Sequence, residues 1–334
     1  MSIPLQKLPY LAQKEVLSTM EMKEIFIFAT LSKKNERLVK TCLNTKEFQL
    51  TIFPDDDYWV IKLKCLRYPG YDPEFDSEEC RQNGLFLGKT VNEVLEFIVK
   101  VFQKLKIHIH NEDNIEKFPI YSRFFKSIGV KIDKVFVDRC KQGELQDILK
   151  AFKGVLEVKI SSCKLEEGIQ FDKTICYHFE SIEITTSRYM DIKWRSDLLI
   201  SLIDCRKVLL LLQIHPRPEA KFLPTEDLEA FLKRWVAGSK MEHFRTQAFD
   251  LINFPYIFES LGEVIPVRAA NFFDGYREWY LDDLPKHFTK NMYFSKHEFK
   301  EDQCFLIQQK NNGPKAIVYV KYNSVNLETD FELI

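Results

Sequence analysis

Apolar residues in the first forty positions recur at three- and four-residue intervals and then crowd together. Leu8, Leu11, Val16, Leu17 and Met20 fall on helical spacings, with Pro9 where a helix can start. Behind them Ile25, Phe26, Ile27, Phe28 and Ala29 are apolar almost all the way round, as in a helix covered on every side. A third short helix, capped by Ser32 or Asn35, carries Leu38 and Val39. Residues 1–43 thus read as three short helices with more apolar surface than one buried face requires.

The period then changes. "EFQLTIF" and "YWVIKLKCL" read as strands around Asp55–Asp57, an acidic triplet better explained as a solvated turn than as a cation site. From Lys89 onward, Val91, Val94, Leu95, Ile98, Val101, Phe102 and Leu105 share one helical face. Short alternating runs follow at Ile107, Val135, Val158, Ile182 and Val208, spaced by 28, 23, 24 and 26 residues. "PIYSRFFKSI", "GELQDILKAF" and "WRSDLLISLID" are helix-like stretches between them. In "PTEDLEAFLKRWVAG" the residues Leu228, Phe231, Leu232 and Trp235 share a face that stops at Gly238.

One strand and one helix per period is the signature of a stacked α/β array, whose units bury their edges against each other. Cys140 and Cys163 each stand three residues after the second apolar strand position. That resembles a degenerate leucine-rich repeat, in which a small side chain tucks under the turn after each strand. "CFLIQQKNNGPKAIVYV" reads as a hairpin around "NNGPK". The expected fold is α/β: three helices over 1–43, a strand/helix solenoid over 44–262 that opens with a β-hairpin, and a β-rich closing element over 263–334.

Charge and cysteine content remove several functions. Lys and Arg balance Asp and Glu to a net charge of −1, so there is no basic field to hold a phosphate backbone and no nucleic-acid partner is expected. No apolar run reaches membrane-spanning length, and Lys7, Lys14 and Glu15 interrupt any secretory leader. Eight scattered cysteines without a C-x-x-C pair read as free thiols, placing the chain in the cytoplasm or nucleus.

Catalytic and cofactor motifs are missing. There is no nucleophile elbow, phosphate loop, dinucleotide turn or zinc-protease helix, and 11 glycines provide poorly for backbone-cradled phosphates. His108 and His110 alternate on one strand, but spacing supplies no third ligand, so no metal is expected. Glu166–Glu167 and Asp282–Asp283 are sequence neighbours whose side chains diverge. The aromatics Tyr276, Trp279 and Tyr280 read as packing, although a polar pocket there would favour an enzyme. The run from Val208 to Ile214 is either a strand buried on both faces or a sticky strip at Leu209 and Leu211.

The opening segment resembles an F-box. Leu8–Pro9, Val16–Leu17, Met20, Ile25–Phe26 and Leu31–Ser32–Lys33 follow that family's order without a gap, while Tyr10, Leu11 and Asn35 depart from its acidic and tryptophan positions. "LPTEDLEAFLKRWVAGSKMEHFRT" and "CFLIQQKNNGPKAIVYV" are similar to the type-2 F-box-associated domain of nematode F-box proteins. The resemblance implies a non-catalytic, cofactor-free substrate-recognition subunit of an SCF ubiquitin ligase. It would bind a Skp-type adaptor, and through it a cullin, by Leu8, Pro9, Leu11, Val16, Leu17, Met20, Ile25, Phe26 and Leu31. A protein target would meet the outward strand positions Phe136, Glu157, Lys159, Glu183, Thr185, Leu209 and Leu211, which strand alternation selects. The alternatives are a repeat-type scaffold with a vestigial F-box, or an enzyme with a C-terminal site.

Overall fold

The N-terminal helices begin where side chains satisfy their free amides. Helix α1 (Tyr10–Thr19) starts directly after Pro9. Helix α2 (Met22–Thr30) opens with a capping box in which the Glu21 amide donates to the Glu24 carboxylate at 3.0 Å. In α3 (Lys33–Cys42) the Asn35 amide donates to the Ser32 hydroxyl at 3.2 Å. A computed structural model describes residues 5–54, 59–66, 74–76, 89–111, 118–164, 171–186, 192–212, 224–247, 254–273, 294–300, 303–321 and 324–334.

The apolar excess of α2 is covered from within the chain. Helix α4 (Val91–Val101), capped by Thr90 and Glu93, brings the Phe97 ring edge-on to Phe26 at 5.5 Å. Lys100 pairs with Glu36 at 2.8 Å. Helix α4 ends earlier than its apolar face suggests. Phe102 is extended and buries its ring 4.8 Å from Phe48, so Leu105 is a strand residue rather than part of a last helical turn.

Strands β1 (Phe48–Pro54) and β2 (Trp59–Cys65) form the expected antiparallel pair, with β3 (Glu74–Asp76) beside β2. On its other side β1 pairs in parallel with β4 (Leu105–Asn111), Leu50 opposite Ile107. After α5 (Phe118–Ser127), Asp133 accepts from the Ile107 amide at 2.7 Å and donates its own amide to the Ile107 carbonyl. This first compact unit runs to Lys134 and so includes the three helices.

The second unit covers the described residues from Val135 onward. In order it holds β5 (Lys134–Val137), β6 (Cys140–Lys141), α6 (Gln142–Ala151), β7 (Glu157–Lys164), β8 (Ser181–Thr186), α7 (Ile192–Ser201), β9 (Lys207–Leu212), α8 (Thr225–Ala237) and β10 (His243–Thr246). Strands β7, β8, β9 and β10 are parallel and in register, with Val158, Ile182, Val208 and Phe244 opposite one another. All four are buried, and Phe231 of α8 packs on Phe244 at 4.6 Å. The periodicity therefore marked true parallel neighbours. Between β7 and β8 the described residues contain no helix; there Phe171 packs on Trp194 of α7 at 4.5 Å.

At β10 the sheet changes direction. Its free side pairs antiparallel with β16 (Ser324–Glu328), followed by β15 (Lys315–Lys321), β14 (Cys304–Gln308) and the short β11 (Ile265–Pro266). The β14–β15 hairpin is the one expected, and it joins β10 through β16. A separate sheet of β13 (Phe294–Glu298), β12 (Ala269–Phe273) and β17 (Phe331–Leu333) was not foreseen. Its Ala270 and Phe272 share a core with Cys304, Leu306, Ile317 and Tyr319.

The stretch around Trp235 has a local explanation. Phe231, Leu232 and Trp235 are buried, and the Trp235 indole N–H donates to the Met241 carbonyl at 3.0 Å. Gly238 ends the helix at φ 133, a conformation that side chains disfavour. Ser239 donates to the Ile203 carbonyl at 2.5 Å and accepts from the Met241 amide at 3.0 Å. These bonds deliver the chain from α8 into β10.

Candidate interaction surfaces

The residues expected to meet an adaptor divide into two groups. Leu17, Ile25 and Phe26 are buried inside the first unit. Their apolar area is taken up by this chain's own core. Leu8 and Met20 are half-buried, and Pro9 is exposed. Leu11 is 74% exposed, Leu31 70% and Val16 38%, and Tyr10 joins them at 48%. Isolated exposed leucines are ordinary, but here four large apolar side chains are exposed between Tyr10 and Leu31.

Asn35, where the F-box pattern has tryptophan, is a buried polar hub. Its side chain donates to the Phe28 carbonyl at 3.1 Å and accepts a hydrogen bond from Gln6. Gln13 donates to the Leu8 carbonyl at 2.8 Å, and the Tyr10 hydroxyl meets the Thr41 carbonyl at 3.5 Å. These polar contacts lay the segment leading into α1 along α3. They hold Pro9, Tyr10 and Leu11 at the surface without using their apolar area.

All seven positions expected to meet a target lie on one side of the second unit's sheet. Lys159, Glu183 and Leu209 stand side by side on β7, β8 and β9, with Arg245 next on β10. Thr185 is opposite Leu211, and Glu157 begins the adjacent row. Lys159 pairs with Glu183 at 3.2 Å and lies 5.9 Å from the Phe136 ring centre, so neither charge is free for a partner. Leu209 and Leu211 are half-buried. They are neither sealed between two layers nor fully open.

A cluster at the starts of the parallel strands escaped the sequence reading. Glu180, Arg206 and Glu242 each stand two residues before the buried Ile182, Val208 and Phe244. Arg206 reaches Glu242 at 2.7 Å and Glu180 at 3.4 Å, and the Glu242 hydrogen bond and charge, then Glu180, hold its guanidinium above its ordinary value. With His178, Asp204 and Gln309 these groups line a cleft of about 560 Å³. The recurring charged position was the available signal. It alternates in sign, so it read as ordinary solvated surface.

His243 and Glu328 face each other across β10 and β16 and are hydrogen-bonded. Burial pushes the Glu328 carboxyl above its ordinary value; the His243 hydrogen bond and charge and Lys207 oppose the shift, and Asp330 adds to it. A carboxyl raised in the folded state stabilises fully at pH below its unfolded value and loses that contribution as pH rises through the folded value. Glu328→Gln keeps an acceptor for His243 and removes the titration. Denaturant midpoints from acid to neutral pH are expected to fall for the natural chain relative to this variant; parallel curves would contradict the assignment.

Burial pushes the Cys205 and Cys304 thiols up to about 12, which keeps them protonated and poor nucleophiles. Among the described residues, no three His, Cys, Asp or Glu side chains are grouped to hold a metal ion, and His110 instead packs on Phe53 at 4.9 Å. No helix there is long and apolar enough to cross a membrane. Asp55–Asp57, Glu166–Glu167, Tyr276, Trp279, Tyr280, Asp282–Asp283 and the Cys163 side chain lie outside the described residues, whereas Cys140 is buried.

No known family profile and no curated protein matches the chain. Among solved structures the MycE methyltransferase of the mycinamycin biosynthetic pathway, in complex with Mg, SAH and mycinamycin VI, matches 95% of this chain and 91% of its own at 10% identity. The TM-score of that match is 0.17, too low to argue for a fold or an activity.

Proposed function

We propose that the chain is a non-catalytic substrate-recognition subunit of an SCF-type cullin-RING ubiquitin ligase, acting in the cytoplasm or nucleus. One observation carries the reading. The three N-terminal helices complete their core with Leu17, Ile25 and Phe26 and still expose Leu11, Leu31, Val16 and Tyr10. A Skp-type adaptor would cover those residues together with Leu8, Pro9 and Met20. The strand array, read as a leucine-rich-repeat-like solenoid, would offer Leu209, Leu211 and their neighbours to a protein target. Its contribution to ubiquitin transfer is effective concentration, because both partners are held on one chain.

The test is binding of the full chain to a purified Skp-type adaptor. Leu11→Asp with Leu31→Asp places charges on exposed positions and is expected to cost at least about tenfold in affinity, roughly 1.4 kcal/mol, with stability little changed. No binding by the natural chain overturns the ligase reading and favours a repeat-type scaffold with a vestigial F-box. Leu209→Ser with Leu211→Ser should weaken target capture while adaptor binding persists.

A further inference from the structure

We infer that Asn312 is a site of spontaneous deamidation in the folded protein, yielding aspartate and isoaspartate at the tip of the β14–β15 hairpin. Asn311 and Asn312 are exposed, and among the described residues they are the only non-glycine positions with left-handed backbone, at φ 57 and 56. Together they form the centre of a four-residue turn closed by the Gly313 amide donating to the Lys310 carbonyl at 3.2 Å. Two left-handed central residues define a type I′ turn, whose second central place is normally given to glycine. Here that place holds Asn312, and the glycine follows it. The chain is thus left-handed at the residue whose side chain reacts, and the glycine that follows puts no side chain beside the attacking nitrogen, whose one hydrogen bond to Lys310 must open first.

The reaction needs only water. The deprotonated Gly313 nitrogen attacks the Asn312 side-chain carbonyl carbon, a carbon–nitrogen bond forms and ammonia leaves. Water then opens the resulting succinimide at either carbonyl. Opening at one restores a normal backbone with aspartate; opening at the other leaves the chain running through the side chain as isoaspartate. Either product carries a new negative charge.

The turn amplifies that change. Gln309 donates its amide to the Pro314 carbonyl at 3.0 Å, and Gln308 Nε2 donates to the Gly313 carbonyl at 3.1 Å. Beyond the hairpin, Lys310 donates its amide to the Val236 carbonyl at 2.9 Å and Gln309 Nε2 donates to the Ser239 carbonyl at 2.9 Å. An isoaspartate lengthens the backbone inside this frame. Gln309 and Pro314 also line the cleft that holds Glu180, Asp204 and Glu242.

The experiment incubates the full folded chain at mildly alkaline pH and maps peptides for replacement of amide by acid, with isoaspartate detected separately. Asn44, exposed and followed by threonine, is the internal control. Asn83–Gly84 is resolved as a distinct peptide. Asn312 is expected to convert at least about tenfold faster than Asn44, because glycine leaves the attacking nitrogen open. Asn311→Gly suits the left-handed backbone, leaves Asn312–Gly313 intact and is expected to remain folded and to form isoaspartate as the natural chain does. Gly313→Ala is avoided, since an added Cβ would meet Gln309 Cβ at 2.9 Å. Conversion at the Asn44 rate in the folded chain, with rapid conversion only in urea, would show that the turn protects Asn312 and overturn the inference. Loss of isoaspartate from the Asn311→Gly peptide would place the reaction at Asn311 and overturn it equally.

Discussion

Trp235→Ala is expected to destabilise the second unit by about 3–5 kcal/mol through lost packing, with about 1–3 more from the Met241 carbonyl left unpaired. Trp235 is fully buried, and its indole nitrogen fixes the carbonyl at which the chain turns into β10. Losses of that size compare with the whole stability of many domains. Trp235→Phe separates the two contributions, since it retains most of the volume and lacks the donor. Equilibrium unfolding of the full chain measures the sum, and hydrogen exchange at the β10 amides locates it. A loss under about 1 kcal/mol for the alanine variant would show that Gly238 and Ser239 suffice to place β10.

Phe26→Ala should cost about 3–5 kcal/mol and loosen the three N-terminal helices together, because Phe26 is fully buried against Phe97. The informative comparison is with Leu11→Asp. A charge on a side chain 74% exposed should change stability by no more than about 0.5 kcal/mol. The two substitutions thus separate a folding role from a docking role inside one short segment. Exchange protection over 10–42 reads the first, and adaptor binding reads the second. Equal destabilisation by both would mean that Leu11 is part of the core.

The same pair shows how far the sequence was legible. Helical spacing identified α1, α2 and α3 and their breaks, since caps and apolar periods are local. It could not divide Leu17, Ile25 and Phe26 from Leu11 and Leu31. An apolar residue looks alike whether its cover comes from α4 or from another protein, and Phe97 lies seventy-one positions after Phe26. The strand positions from Val158 to Val208 were legible because parallel neighbours in the array share a phase, and the register agrees; β10, four residues long, showed no such run. The β12–β13–β17 sheet was not, because Ala270 pairs with Leu333 and no local period records so distant a partner. The Glu180–Arg206–Glu242 bridge lay between, repeating in place while alternating in charge.

The pairing of β10 with β16 has a consequence for how the chain is made. Glu328 meets His243 only 85 residues later in the sequence. At ribosomal speeds of about 5–20 residues per second, β10 waits about 4–17 s before its partner has even been synthesised. During that interval each nascent chain carries the open edge of a parallel sheet, a template for strands from neighbouring chains. Slowing translation after β10 should therefore raise aggregation more than slowing it after β16.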